Sequence, residues 1–408
     1  MKADLDRLMA ARELAGFVVE CADVFSAPRH YLTNGVSITQ GKIIKRAGAE
    51  PILIVNPMET EEAKKSGLTV YSFNDLGWAN LVQAADGDRD KASIAFWGKC
   101  LHTAGIESGK IAIYGVGNLH TIIDYVDKLR AQYPQYQIVG ESGMTVFDQA
   151  YLTKDAAEIA RLQDIGTRTA AVLQATWNYI ASHHAQGETV VNANGVPLTV
   201  GAVKRFVRRA LLDHDLEDTD MIFAQGRDGG FPHSRGESGD ALKLGQPIVF
   251  DLFPRELGGG YHHDCTRTWC IGYAPDAVRA AYEQVMEAFD MAVEVIRPGM
   301  DAKTPQERVQ DYFEAHGHKT TRSDPNTTDG YMHSLGHGIG LNVHERPALG
   351  HLSKDMLAIG NIVTIEPGLY YPEQGFGVRV EDSFYLAQDG QVVSLTPFHR
   401  DLVLLLKG

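Results

Sequence analysis

Four acids at the ends of short apolar runs, and three histidines in one glycine-rich segment, are the residues of this chain best suited to chemistry. Asp251 closes the run PIVFD, Asp264 lies in YHHDCTRT, Glu366 lies in TIEPGLYY at the end of another apolar run, and Glu381 lies in GVRVEDSFYL. His333, His337 and His344 fall within twelve residues in HSLGHGIGLNVHE. A carboxylate that ends a buried strand needs a partner, because desolvating an unpaired charge is very costly. For Asp251 the plain alternative to a metal ion is an ion pair with Arg255 or Arg267. Four carboxylates joined by an imidazole from the trio make a hard, oxygen-rich donor set. Such a set suits Mn²⁺, Co²⁺, Fe²⁺ or Zn²⁺ and fits a thiolate-type zinc site badly. Acids that bridge can hold two such ions roughly 3.5–4 Å apart with a hydroxide between them. No GxSxG elbow and no papain-like cysteine signature offers a side-chain nucleophile instead.

These side chains must be carried by strands at one end of a sheet. The glycine-rich ELGGG between Asp251 and Asp264 suits a tight reversal, and the hairpin it closes sets both carboxylates on adjacent strands. The period of two places His262, Asp264, Thr266 and Thr268 on one face of the second strand, and Arg379 with Glu381 on one face of another. Glycines around the three histidines permit close backbone approach. GGFPHS, which carries His233, reads as strand-like. Upstream, one long amphipathic helix runs from Lys154 to about His183, with Ile159, Leu162, Ile165, Thr169, Val172 and Leu173 on one face. A second helix covers about Val200–Asp213, and helices at about 276–296 and 304–316 precede the later strands. Two helix–helix–strand units in succession predict an α+β domain over residues 151–408 with an internal pseudo-two-fold. Residues 1–150 read differently. GFVVECADVF, PILIVNP, TVYSF and KIAIYGVG are β-rich runs separated by helical stretches near 58–66, 89–104 and 119–133, the pattern of an α/β domain. That domain has no GxGxxG after a strand and no Walker sequence, so no nucleotide site is expected in it.

The 408 residues favour two domains, since single cores rarely grow beyond about 250–300 residues. A formal net charge of −14 with no basic run to offset it argues against a nucleic-acid partner. The opening MKADLDRLMAARELAG alternates charged and apolar residues at helical spacing and lacks the basic-then-apolar order of a secretory signal. No stretch approaches about 18 uninterrupted apolar residues, so no membrane span is expected. Cys21, Cys100, Cys265 and Cys270 have no CxxC spacing and read as buried free thiols in a reducing, cytoplasmic compartment.

The motifs GYHHDCTRT, HSLGHGIGLNVHE, TIEPGLYY and GVRVED together resemble those of the pita-bread (M24) metallopeptidases, which include Xaa-Pro aminopeptidase, prolidase, methionine aminopeptidase and creatinase. By position and pattern the first 150 or so residues look like the N-terminal α/β domain of the aminopeptidase P, prolidase and creatinase branch. The resemblance implies that Asp251 holds one metal ion, that His337 and Glu366 hold the other, and that Asp264 and Glu381 bridge both. It assigns His233, His333 and His344 to contacts around the scissile bond, with Arg379 beside the pocket to meet a substrate carboxylate. The activity it implies is release of the N-terminal residue from Xaa-Pro peptides or dipeptides through a metal-bridged hydroxide, with two divalent ions, Mn²⁺ first and Co²⁺, Zn²⁺ or Fe²⁺ as alternatives. Glu366 would take the proton of the nucleophile and pass it to the leaving nitrogen, while His344 steadies the oxyanion. A small peptide substrate and a homodimer, with the N-terminal domain lending a pocket wall, complete the expectation.

The chain departs from that family pattern after Asp251, where LFPRELGGG stands in place of a shorter glycine-rich turn and is expected to reshape the pocket. His262 and His263 are extra imidazoles beside Asp264, read as structural or as neighbours that orient the ligands. The altered segment leaves room for another reaction on the same site, like that of a dimethylsulfoniopropionate lyase of similar fold. The reading outside chemistry is a peptide-binding pseudoenzyme, against which stands a ligating side chain at all five ligand positions. The methionine aminopeptidase branch generally lacks so large an N-terminal domain.

Overall fold

A computed structural model describes residues 4–407 of the chain, so the first three residues of the expected N-terminal helical stretch lie outside it. The chain divides into two compact units after Ala150. In the first, the elements run α1 (Leu5–Ala10), β1 (Leu14–Cys21), α2 (Ala27–Thr33), β2 (Gly41–Arg46), β3 (Ile52–Val55), α3 (Thr60–Lys64), β4 (Thr69–Ser72), α4 (Trp78–Ala84), α5 (Arg89–Thr103), β5 (Gly109–Tyr114), α6 (Leu119–Gln132) and β6 (Tyr136–Val139). The division falls at the end of α7 (Val146–Tyr151).

One six-stranded sheet, in the order β4-β3-β2-β1-β5-β6, forms the centre of this unit. Its strands run parallel except β2, which is antiparallel to both β1 and β3. Strand β2 escapes a reading of GKIIKR because lysines flank its two isoleucines. In the fold Lys42 meets Glu20 at 2.5 Å and Lys45 meets Asp6 at 2.6 Å, so both charges sit against the sheet with partners. α5 buries Ile94, Trp97 and Leu101 with Ile44, Ile54 and Ile111 of the strands, the apolar burial that holds helix to sheet.

The second unit opens on α8 (Ala156–Ala181). Its start is a capping box: the Asp155 carboxylate accepts from the amides of Ala157 and Glu158, and Glu158 accepts from the Asp155 amide at 2.9 Å. There follow β7 (His184–Gln186), β8 (Thr189–Val191), α9 (Val200–Asp213), β9 (Leu216–Glu217), β10 (Met221–Gln225), β11 (Pro247–Leu252), β12 (Arg255–Glu256) and β13 (Cys265–Ile271). A second helix pair, α10 (Asp276–Val295) and α11 (Thr304–Ala315), leads to β14 (Gly336–Gly338), β15 (Glu345–Leu349), β16 (Ile362–Ile365), β17 (Gly368–Tyr371), β18 (Phe376–Arg379), β19 (Asp382–Leu386), β20 (Val392–Ser394) and β21 (Val403–Leu404). The strands build a four-stranded sheet, β10-β11-β13-β21, and a five-stranded sheet, β15-β14-β16-β19-β20, with β17 and β18 paired separately. Each large sheet is preceded in the chain by its own pair of long helices, which is the pseudo-two-fold expected from the pattern.

Three local expectations change. GGFPHS forms no strand: a short 3-10 turn covers Asp228–Gly230, and a Cβ at Gly230 would stand 2.6 Å from the Pro372 backbone. The β11–β13 hairpin exists, with Asp251 opposite Thr266, but its connection is no tight turn, because Arg255–Glu256 pairs with β9 instead. GVRVEDSFYL is two strands, β18 and β19, with Glu381 in the break between them. All four cysteines are buried and free. Among the described residues no helix is long and apolar enough to cross a membrane.

Candidate metal centre

Thr266 gathers the site. Its amide donates to the Glu381 carbonyl at 3.3 Å and its carbonyl accepts from the Glu381 amide at 3.0 Å, which fastens the β18–β19 break onto β13. The Thr266 hydroxyl donates to Glu381 Oε2 at 2.8 Å and accepts from Arg379 Nε at 3.1 Å. Asp251 lies across the ladder from Thr266, and Asp264 stands two residues before it. On the other sheet, His337 sits in β14 between β15 and β16, and Glu366 directly follows β16 with its amide bonded to Leu335 O at 2.8 Å. Glycine is required on both sides of His337. A Cβ at Gly336 would lie 2.0 Å from Thr364 O, and one at Gly338 2.1 Å from Arg346 O.

The imidazole of His337 is oriented by its own strand. Nδ1 meets Gly338 O at 3.0 Å; a carbonyl only accepts, so Nδ1 carries the hydrogen and Nε2 keeps its lone pair. That lone pair faces Asp264 Oδ2 and Glu366 Oε1, each at 3.7 Å. Burial, with His344 nearby, lowers the His337 pKa to about 4, so the ring is neutral and fit to ligate. Asp264, His337 and Glu381 each offer a donor atom, all within 4.8 Å of one another. Asp251 Oδ1, Asp264 Oδ1 and Glu381 Oε1 are buried with no hydrogen-bond partner among the described residues.

Charge in this cluster does not balance. Four carboxylates converge on a single guanidinium, that of Arg379, which leaves an excess of three negative charges when all are ionised. Burial first, then the neighbouring carboxylates, push the carboxyls of Asp264 and Glu381 well above the ordinary range. Burial, with Asp251 adding and Arg379 opposing, raises Glu366 to about 8. Orphaned oxygens, a bare imidazole nitrogen and uncompensated negative charge are what divalent cations would satisfy. The donor set therefore fits the ions expected from the sequence.

Asp251 does have an ionic partner, but neither of the two expected. Arg379 Nη2 donates to Asp251 Oδ2 at 2.6 Å, while Arg255 is bound to Glu217 and Arg267 pairs with Asp382 at 2.8 Å. Arg379 is held by further contacts. Its side chain is 3% exposed, and it further donates through Nη1 to Tyr370 OH at 2.8 Å and Pro232 O at 3.2 Å. A guanidinium so engaged orients Asp251. His333 is engaged too. Its Nδ1 donates to Ser334 O at 2.8 Å, so Nε2 must accept from Tyr370 OH at 2.9 Å, and Tyr370 in turn accepts from Arg379. His333, Tyr370, Arg379 and Asp251 thus form one chain of bonds with a single consistent placement of protons. Both ring nitrogens of His333 are hydrogen-bonded within this chain of contacts.

His344 and His233 are exposed. The His344 ring lies edge-on to His337, with centroids 4.4 Å apart and planes at 85°. His233 is near enough to His333 and His344 to disfavour protonation of both. His262 and His263 stand outside the donor cluster. His262 is bonded through its amide to Gly340 O at 2.8 Å, and His263 Nε2 meets Thr396 Oγ1 at 3.1 Å. Within LFPRELGGG, Arg255 binds Glu217 of β9, and Arg161 of α8 donates to Glu256 at 2.5 Å. Tyr370 was not singled out from sequence as a participant. Its only signal there is its place in TIEPGLYY, four residues after Glu366.

The fold with this site is that of the pita-bread peptidases. Over 98% of this chain and 99% of theirs, it superposes on an X-Pro aminopeptidase from Thermotoga maritima with a TM-score of 0.77 at 21% identity. A Xaa-Pro dipeptidase from Bacillus anthracis gives the same TM-score and identity over 99% of both chains. Residues 159–388 match the model of metallopeptidase family M24, and the chain belongs to that family. By sequence it is 35% identical to a Xaa-Pro dipeptidase of Pyrococcus furiosus over 184 residues, 45% of this chain and 49% of that protein. It is 36% identical to a putative dipeptidase of Bacillus subtilis, YkvY, over 181 residues, 44% of this chain and 46% of that protein. The match thus spans about half the length of these relatives.

Proposed function

We propose that this protein is a dinuclear metallopeptidase that releases the N-terminal residue from Xaa-Pro peptides or dipeptides. The observation that carries the proposal is the cluster of Asp264, His337 and Glu381, with donor atoms within 4.8 Å of one another, beside partnerless buried oxygens of Asp251, Asp264 and Glu381. Asp251 would hold one ion, His337 and Glu366 the other, and Asp264 and Glu381 both. Bound ions supply Lewis acidity and a water acidic enough to act as nucleophile near neutral pH. Mn²⁺ is the first choice because oxygen donors outnumber nitrogen.

The chain's own groups complete the chemistry. Glu366, ionised once an ion displaces the proton that burial holds on it, is suited to accept a proton from the water and return it to the proline nitrogen. His344, exposed beside His337, is placed to donate to the substrate carbonyl as negative charge develops there. His233 stands near it as a second polar contact for the peptide. Arg379, Tyr370 and His333 keep Asp251 in place. An Xaa-Pro bond has a tertiary nitrogen and no amide hydrogen, and a site that needs no side-chain nucleophile suits it. The four buried free thiols support a reducing, cytoplasmic setting, and the homodimer rests on family resemblance. The test is hydrolysis by Mn²⁺-loaded protein of Ala-Pro, Ala-Pro-Ala and Ala-Ala side by side. Cleavage of the proline substrates alone supports the proposal, and the ratio of the first two separates dipeptidase from aminopeptidase. No cleavage of any, with two ions bound, would move the site to a lyase or other small-molecule reaction.

A further inference from the structure

The first unit holds a cavity of about 520 Å³, within the size range of small-molecule sites. It lies at the carboxyl ends of the parallel strands: Glu20 and Cys21 end β1, Asn56 follows β3, and Phe73 and Asn74 follow β4. Open α/β sheets hold their ligands in the crevice at this end, where the loops diverge. Strand β2 runs the other way, so its beginning, Gly41, joins the same rim together with Gln40.

Three features define what the cavity would take. One is a rigid aromatic wall: Phe73, Trp78 and Phe96 meet at centroid distances of 5.1, 5.4 and 6.4 Å, the two pairs with Phe96 edge-to-face. The second is hydrogen-bonding capacity, since the lining side chains of Gln40, Asn74 and Ser93 bond to nothing else among the described residues. The third is charge. Lys42 is matched by Glu20 at 2.5 Å and reaches Tyr125 OH at 3.4 Å. Glu59, the nearby acid, accepts from the amides of Thr39 and Gln40 at 2.6 and 3.2 Å. Arg89, exposed at the start of α5, has no acidic partner among the described residues and is the uncompensated cation of the lining.

We propose that this cavity binds a small organic anion that carries a flat ring, with the carboxylate toward Arg89 and the ring against the Trp78 wall. Every residue of its lining belongs to the first unit.

The test uses the full-length, metal-loaded protein with ¹⁵N-labelled tryptophan. The chain has four tryptophans, so the indole signal lost in Trp78→Phe reports the cavity directly. Benzoate is expected to shift that signal with millimolar saturation. Arg89→Gln, a change at an exposed position, is expected to weaken the titration by about tenfold, the worth of one charge-assisted contact near the surface. Benzylamine, with the same ring and the opposite charge, is expected to leave the signal in place. An unmoved Trp78 signal with benzoate, equal binding of benzylamine, or an unchanged titration in Arg89→Gln would each overturn the proposal.

Discussion

Metal binding at this centre should release protons, and the number follows from the carboxyl environment. In the metal-free chain burial holds Glu366 at about 8, so near pH 7 it is protonated, and burial also raises Asp264 and Glu381 well above the ordinary range. His337, lowered to about 4, is already neutral and contributes no proton. An ion that ligates the carboxylates must displace the protons they hold, and each one displaced makes the apparent affinity tenfold stronger per pH unit, or about 1.4 kcal/mol. With the Glu366 proton displaced, Mn²⁺ affinity should rise by about tenfold between pH 6 and pH 7. Calorimetric titration of Mn²⁺ into metal-free protein, in buffers of different ionisation enthalpy, counts the protons directly. Release of none, with an affinity flat across that range, would refute the electrostatic description of the site.

Without metal, stability should fall on both sides of about pH 6.5. The raised carboxyl of Glu366 contributes stability below its ordinary value and loses it as pH rises through about 8, on the order of 2 kcal/mol from pH 6.5 to 8. His333, His337, His262 and His263, lowered by burial to about 3 or 4, lose stability in the other direction as pH falls below about 6.5. Denaturant midpoints across pH test this, and a metal-free protein most stable at pH 8 would contradict it. His344→Ala should lower kcat by about 10²–10³ with metal content unchanged; if the variant merely loses metal, the assigned role is wrong. Gly338→Ala should destabilise the protein by on the order of 3 kcal/mol, because its Cβ would meet Arg346 O at 2.1 Å. An unchanged melting temperature would mean that β14 can move away.

The long helices were legible because their 3.6-residue period persists for several turns. α9 falls on Val200–Asp213 as expected, and α8, α10 and α11 end within three residues of their expected bounds. Asp251 and Glu366 could be read as strand-end acids because the apolar runs before them are short and unbroken. The organising contacts were not legible, because they join residues far apart. Thr266 meets Glu381 across 115 positions and Arg379 reaches Asp251 across 128, and no local pattern records either pairing. The partner of His333 is hidden in the same way: the hydroxyl bonded to its Nε2 lies 37 residues on, in Tyr370. The misread strand at GGFPHS is local. Gly230 serves close passage of the backbone at Pro372 and Phe376, and a short local pattern cannot distinguish that from a ladder.

The most direct measurement is cleavage of Ala-Pro and Ala-Pro-Ala as a function of bound metal, with ions per chain counted by mass spectrometry on the same samples. Activity should be absent without metal and reach its plateau at two ions per chain, and Asp264→Asn should lose both metal and activity. Cleavage by metal-free protein, or a plateau at one ion, would contradict a dinuclear peptidase.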